Sequence, residues 1–318
     1  MATSKRIVLV LMFITTVSFN VFTVYGQNRT FHKIPLGPNQ QGPEALAFDC
    51  KDEGPYVGIS NGRILKWNGN KYGWTEFAVT SSNRSSSCDG IFNSTMEKDC
   101  GRPLGLRFDK RSCELYIADS SFGLMKVGQN GGIASSLVNG IDGIPFMFVN
   151  GLDVDFEDEV VYFTETSSNY HRWEAAQAIN NSDKSGRLMK YDAKSGYVTV
   201  LLKDLSFANG VALSKNKDFV LVAETTASRI LKYWLTGNKA GTSEVFLQSS
   251  GTIDNINRNK KGDFWIAKRM AKSIKVNELG EILETLLSDE IVNPSDVQEF
   301  HHRIWVGFVD QAFIFYSS

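Results

Sequence analysis

Histidine and cysteine are both scarce, four of each in 318 residues. No cysteine pair has CxxC spacing, which speaks against a structural zinc. No GxSxG element occurs, which speaks against a serine hydrolase built on a nucleophile elbow. Blocks of one charge are missing as well. Lysine and arginine are scattered and the net charge is −1, so nucleic acid is not the expected partner. Long helical periodicity is nearly absent, and beyond the N-terminal stretch no apolar run is long enough to span a bilayer.

With 42% hydrophobic residues the chain can bury a substantial core, as one large all-β domain or two smaller ones. Lys5 and Arg6 precede an apolar run from Ile7, and small residues appear near Gly26. That pattern predicts a signal peptide over 1–26 and a mature chain of 27–318, the rival being a retained signal anchor. Once the signal is removed, no stable membrane association is expected. Four sequons fit the same route, at Asn28, Asn83, Asn93 and Asn180. An oxidising route favours disulfides, and the spacing of Cys50, Cys88, Cys100 and Cys113 allows three pairings. Cys88 and Cys100 flank the loop "DGIFNSTMEKD", which a disulfide would close; Cys50 and Cys113 either pair or remain buried thiols.

One unit recurs: an apolar strand, a polar turn, a stronger apolar strand, a small or acidic residue, then another strand. The copies begin at "EALAFDC", "LGLRFDK", "NGLDVDF", "NGVALSK", "DNINRNK" and "SDVQEFH". Their spacing of roughly 40 to 60 residues is that of propeller blades. Six copies predict an all-β, six-bladed β-propeller, whereas a β-sandwich would not repeat one register six times. The last copy ends after about three strands, so "TFHKIPL" near the N-terminus is expected to complete it and close the ring. Two insertions, Cys88 to Cys100 and "NYHRWEAAQAINNSDKSG", should shape one entrance, and Trp173 to Ile179 within the second has helical propensity.

In a propeller the first strand of each blade lines the axial channel. The residues just ahead of it are Glu44, Asn150, Asn209 and Asp254, the last followed by Asn255. Carboxylate and amide oxygens gathered from separate blades suit Ca²⁺ or a similar divalent cation. Asn-Gly has a plainer explanation too, since both residues tolerate the positive φ of a turn.

Longer stretches, among them "LVNGIDGIPF", "VVYFTETSSNY", "DKSGRLMKYD", "DFVLVAET" and "ILKYWLTG", resemble the strictosidine synthase family. The resemblance implies the six-bladed fold, a Cys88–Cys100 disulfide, glycosylation, a vacuolar or extracellular destination and a small-molecule substrate. Aligned on "VQEF", the glutamate that serves the synthase as acid/base falls at Ser295, and its pocket histidine at Asn293. Asp296 and Glu299 lie nearby, and the aromatic pocket wall becomes Met147 to Gly151. "FANGVALS" and "IDNINRN" instead resemble the metal segments of paraoxonases and gluconolactonases. That likeness implies a catalytic cation on Glu44, Asn150, Asn209, Asp254 and Asn255, with Asp254 or Glu44 doubling as base. The paraoxonase histidine falls at Leu104, and His32, His171, His301 and His302 read as ordinary residues. Three functions follow: a cation-dependent hydrolase of an ester, lactone or phosphotriester; a propeller whose cation is structural; and a condensing enzyme of the synthase type.

Overall fold

The computed structural model describes residues 29–89, 93–270 and 272–318. The expected signal peptide and the Asn28 sequon lie outside them. Four-stranded antiparallel sheets recur around a common axis, one of them extended to five strands, and a two-stranded hairpin is added at Gly140–Ile141 and Ile144–Pro145. The innermost strands are Leu46–Ala47, Pro103–Phe108, Phe148–Asp155, Ala208–Leu213, Ile253–Arg258 and Asp296–Phe300, which define blades one to six. The ring closes as the sequence predicts. Phe31–Pro35 pairs antiparallel with Phe313–Ser317, so the N-terminal strand becomes the outer strand of blade six.

The second strand of each blade shows why the apolar runs are so dense. In Phe219–Glu224 every residue is buried. Val220 and Val222 face the cluster shared with blade three, whereas Phe219, Leu221 and Ala223 face the one shared with blade five. A strand covered on both sides has no polar face to alternate with. Six such clusters fill the six gaps between blades, and burial of these faces drives the ring together.

All four cysteines are paired. Cys88–Cys100 closes its loop, with Cα atoms 5.7 Å apart. Cys50–Cys113, at 5.2 Å, staples a turn of blade one to a turn of blade two. The second bridge closes 63 residues, for which chain entropy gives about 4 kcal/mol of stabilisation. A Cys50→Ser/Cys113→Ser variant is therefore expected to lose about that much in a urea melt.

Both insertions leave from the end of the channel where the innermost strands begin, called here the upper mouth. The second contains the short helix Ala175–Asn180, close to the expected helical stretch. Arg172 joins the two insertions through a bidentate ion pair with Glu97, which is fully buried on the short helix Glu97–Cys100.

Midway down, the channel is blocked by a polar chain. Arg107 Nε lies 3.1 Å from Asp153 Oδ1, and its Nη2 donates to Asn257 Oδ1 at 3.4 Å. Asn257 in turn donates to Asp296. The far carboxylate oxygens reach the two remaining blades, accepting from Leu46 N–H of blade one and Leu213 N–H of blade four, each at 2.9 Å. Residues of blades two, three, five and six thus form an axial plug that holds all six. Asp296 faces the axis, and burial raises its pKa to about 6. Glu299 lies towards the opposite end, held by Asn259 and the Trp265 indole at 3.1 Å each.

Candidate metal centre

The innermost strands of blades three, four and five each break register at the start, where Asn150–Gly151, Asn209–Gly210 and Asp254–Asn255 fall in the irregularity. Blade two does the same at Leu104. A β-bulge re-aims the side chain that occupies it. Here it places one residue per blade at the upper mouth.

The glycines after Asn150 and Asn209 are not turn residues, for neither has a positive φ. They allow close approach. A Cβ on Gly151 would stand 2.9 Å from the Asn209 carbonyl oxygen, and one on Gly210 only 2.6 Å from Asn255 Cα. Asn-Gly therefore marks where adjacent inner strands touch backbone to backbone.

Asn150, Asn209 and Asp254 are 2–4% exposed, and the Oδ1 atom of each has no hydrogen-bond donor among the described residues. The orientation of the two amides follows from their neighbours. Thr166 Oγ1 donates to the Ala208 carbonyl at 2.7 Å, and Thr225 Oγ1 to the Ile253 carbonyl at 2.7 Å. With its one proton spent, each hydroxyl can only accept, so it takes the amide N–H of Asn150 at 3.0 Å or of Asn209 at 3.1 Å. Both amide oxygens are thereby left without a donor, while the Asn209 amide also lies close enough to Asp254 to oppose the rise of its pKa.

Glu44 is also buried, and its Oε2 lies 3.2 Å from Nη2 of Arg102, a fully buried side chain that also donates to the Gly42 and Val309 carbonyls. Asn255 uses its backbone N–H on the Ser295 carbonyl at 3.0 Å and lines the channel below the mouth. Ser295 is fully buried, its hydroxyl donating to the Glu44 carbonyl at 3.1 Å. Leu104, 1% exposed, takes the corresponding position in blade two and brings no ligating atom. Three histidines lie elsewhere: His32 packs on Tyr316 in the closing strand, His301 pairs with Asp52 at 3.3 Å, and His302 occupies the adjoining turn. His171 sits at the rim, where its Nδ1 meets the Met147 carbonyl at 3.2 Å and its ring stacks on Trp173.

Burial raises the pKa of Glu44, opposed chiefly by Arg102. Asp254 is pushed up to about 8, first by burial and then by the negative charge of Glu44. Arg269, with Nη1 4.0 Å from Asp254 Oδ2, opposes that shift. Burial and mutual charge thus resist ionisation of both acids. Among the described residues no group of three or more His, Cys, Asp or Glu side chains gathers, so the donors here are two carboxylates and amide oxygens.

Supporting groups escaped the sequence reading. Asp119 and Glu224 end the second strands of blades two and four, and Glu165 lies two residues before the end of that of blade three; they accept the backbone N–H of Arg102, Ser206 and Met147 at 2.8–3.0 Å. They hold the segments that lead into the inner strands. The repeated Glu-Thr of "TETS" and "AETT" is the signal for both the acid and the orienting threonine in blades three and four.

The fold and much of the sequence have relatives. Residues 150–238 match the strictosidine synthase family. Strictosidine synthase-like protein 10 of Arabidopsis thaliana is 44% identical, the match covering 86% of this chain and 84% of that protein. Strictosidine synthase-like protein 3 of the same plant is 48% identical, over 86% and 81%. Among solved structures, a gluconolactonase from Xanthomonas campestris superposes with TM-score 0.65 at 14% identity, over 90% of this chain and 88% of that one. Regucalcin from Agrobacterium tumefaciens, described as a calcium-binding protein, gives 0.60 at 14% identity, over 90% and 91%. At such identities these two structures speak to the six-bladed fold alone. The Arabidopsis relatives decide the family: this chain belongs to the strictosidine synthase family.

Proposed function

We propose that the protein is a calcium-dependent, or similarly divalent-cation-dependent, hydrolase of an ester, lactone or phosphotriester, with its site at the upper mouth. The observation that carries this reading is the trio of buried oxygens without a donor, on Asn150, Asn209 and Asp254. A buried acceptor left unpaired costs about 1–3 kcal/mol, and a cation satisfies all three together. Glu44 adds the second carboxylate, and Asn255 lies next to the set. An all-oxygen set suits a hard cation rather than zinc. When bound, such a cation polarises a carbonyl or phosphoryl oxygen as a Lewis acid.

The chain's own residues supply the rest. Thr166 and Thr225 fix the amide oxygens, and Arg102 fixes Glu44. Asp254, ionised once the cation has displaced its proton, is assigned as the proton acceptor for the attacking water. A cavity of about 390 Å³ opens on the same face between blades five and six, where Met270, Leu286, Ile291 and Val292 share the lining with Lys272, Ser288, Asp289 and Asn293, and it has room for part of a substrate. The names of the two solved structures, a gluconolactonase and a calcium-binding protein, describe chemistry of this kind. Ser295, at the position of the synthase glutamate, carries no group that exchanges protons at neutral pH, so this reading assigns it a structural part.

Chelation is expected to abolish turnover of an aryl ester or lactone, and added calcium to restore it. A lower melting temperature on chelation, with no turnover across a broad panel, would make the cation structural. Condensation of tryptamine with secologanin in chelator would overturn the reading in favour of the synthase reaction. We also place the protein in the secretory pathway, in vacuole or extracellular space, glycosylated at the exposed Asn83, Asn93 and Asn180. Two disulfides support that route.

A further inference from the structure

The inner strands end at a second mouth, on the far side of the axial plug. A cavity of about 150 Å³ opens there. Its polar lining is Arg107, Lys110, Arg258, Asn259, Lys260, Gln298 and Glu299: four cations against one carboxylate. Existing pairs do not balance that charge. Arg107 is matched by Asp153 and Lys110 by Asp52, while Glu299 already faces Asn259, Trp265 and Lys275. Arg258 and Lys260 have no carboxylate within 4.0 Å among the described residues.

Arg258 is nevertheless fixed. Its Nε donates to the Leu213 carbonyl at 2.7 Å, which anchors the guanidinium of a half-buried side chain at the cavity wall. A guanidinium held by Nε keeps its two terminal nitrogens for a planar or tetrahedral oxyanion. Gln298 supplies the complementary signal. Among the described residues its side chain has no hydrogen-bond partner, and its Oε1 is buried without a donor. An anion alone satisfies Arg258 and Lys260 but leaves that acceptor orphaned; an anion that also carries a hydroxyl satisfies both. Ala47, Phe48, Phe108 and Phe300 close the remaining wall, Phe48 and Phe300 stacked at 3.7 Å. That wall leaves room for a few carbon atoms.

We propose that the lower mouth is a second binding site, separate from the upper one, for a small oxyanion bearing a hydroxyl group: a hydroxycarboxylate or a monoprotonated phosphate. The charge of the oxyanion lies against Arg258 and Lys260, and its hydroxyl donates to Gln298 Oε1. The plug of Arg107, Asp153, Asn257 and Asp296 stands between this site and the cation site, so the two are occupied independently.

Calorimetric titration of the full chain in metal-free buffer at constant ionic strength tests this, with malate, succinate and inorganic phosphate as probes. Malate should bind saturably and at least tenfold more tightly than succinate, which lacks the hydroxyl. Phosphate binding tighter than malate would identify phosphate as the source of the oxyanion, and the reverse order the hydroxycarboxylate. Lys260→Gln, a change at an exposed position, should weaken the tighter anion at least tenfold, and Arg258→Gln more. Gln298→Leu should bring malate and succinate together, while Asp254→Asn at the upper mouth should leave anion binding unchanged. The proposal is overturned if no probe saturates, if Lys260→Gln binds as the wild type does, or if Asp254→Asn abolishes binding.

Discussion

Asp254→Asn is expected to lower calcium affinity by more than about a hundredfold and to remove turnover with it, because it deletes one of the two carboxylates that the described residues bring to the site. The neighbouring threonines make the sharper case. Thr225→Val preserves shape but frees the Asn209 amide to rotate, and loss of such an orienting partner typically costs about 10–100-fold in metal affinity. Thr166→Val should act alike on Asn150. If the valine variants bind calcium as the wild type does, Asn209 and Asn150 are not ligands. The pH dependence follows from Asp254. Its pKa is raised from 3.8 to about 8 in the cation-free protein, so the folded state holds a proton that the unfolded state has released. Stability of the cation-free protein should therefore fall as pH rises between those values. Calcium binding must displace that proton, so apparent affinity should climb about tenfold per pH unit up to about 8 and level off above it. Calorimetry in buffers of different ionisation enthalpy would measure the released proton directly.

Arg107→Ala is expected to destabilise the ring by about 3–5 kcal/mol, because it strands the buried Asp153 carboxylate and breaks the chain to Asn257 and Asp296. The double variant Arg107→Leu/Asp153→Asn removes both charges and should recover part of that loss. Urea melts of the three proteins decide the matter. A loss under about 1 kcal/mol for Arg107→Ala would mean that apolar packing between blades holds the ring without the plug.

The fold was legible because its features are local and repeated. A strand–turn–strand unit copied six times announces a propeller, and an incomplete last copy announces a closing strand. Asn209 was legible for a related reason, since equivalent positions in other blades carry Asn150 and Asp254. The reason for its glycine was not. Only the ring shows that Gly210 sits against the backbone of Asn255, a contact 45 residues away in the chain. The same holds for Glu97 and Arg172, whose pairing depends on how two insertions fold across one face, and for Arg102, whose partner Glu44 lies 58 residues away. The plug lay between these extremes. Arg107, Asp153 and Asn257 each stand three residues beyond the mouth position of their blade, Leu104, Asn150 and Asp254. That register was readable, but the partner of each lies in another blade.

The central claim is that three buried oxygens on separate blades await one cation. A high-resolution crystal structure grown in calcium tests it most directly. The account predicts a single peak on the channel axis at the upper mouth, about 2.3–2.6 Å from Oδ1 of Asn150, Asn209 and Asp254 and from a Glu44 oxygen. A map with ordered water hydrogen-bonded to those oxygens, and no such peak at saturating calcium, would contradict it.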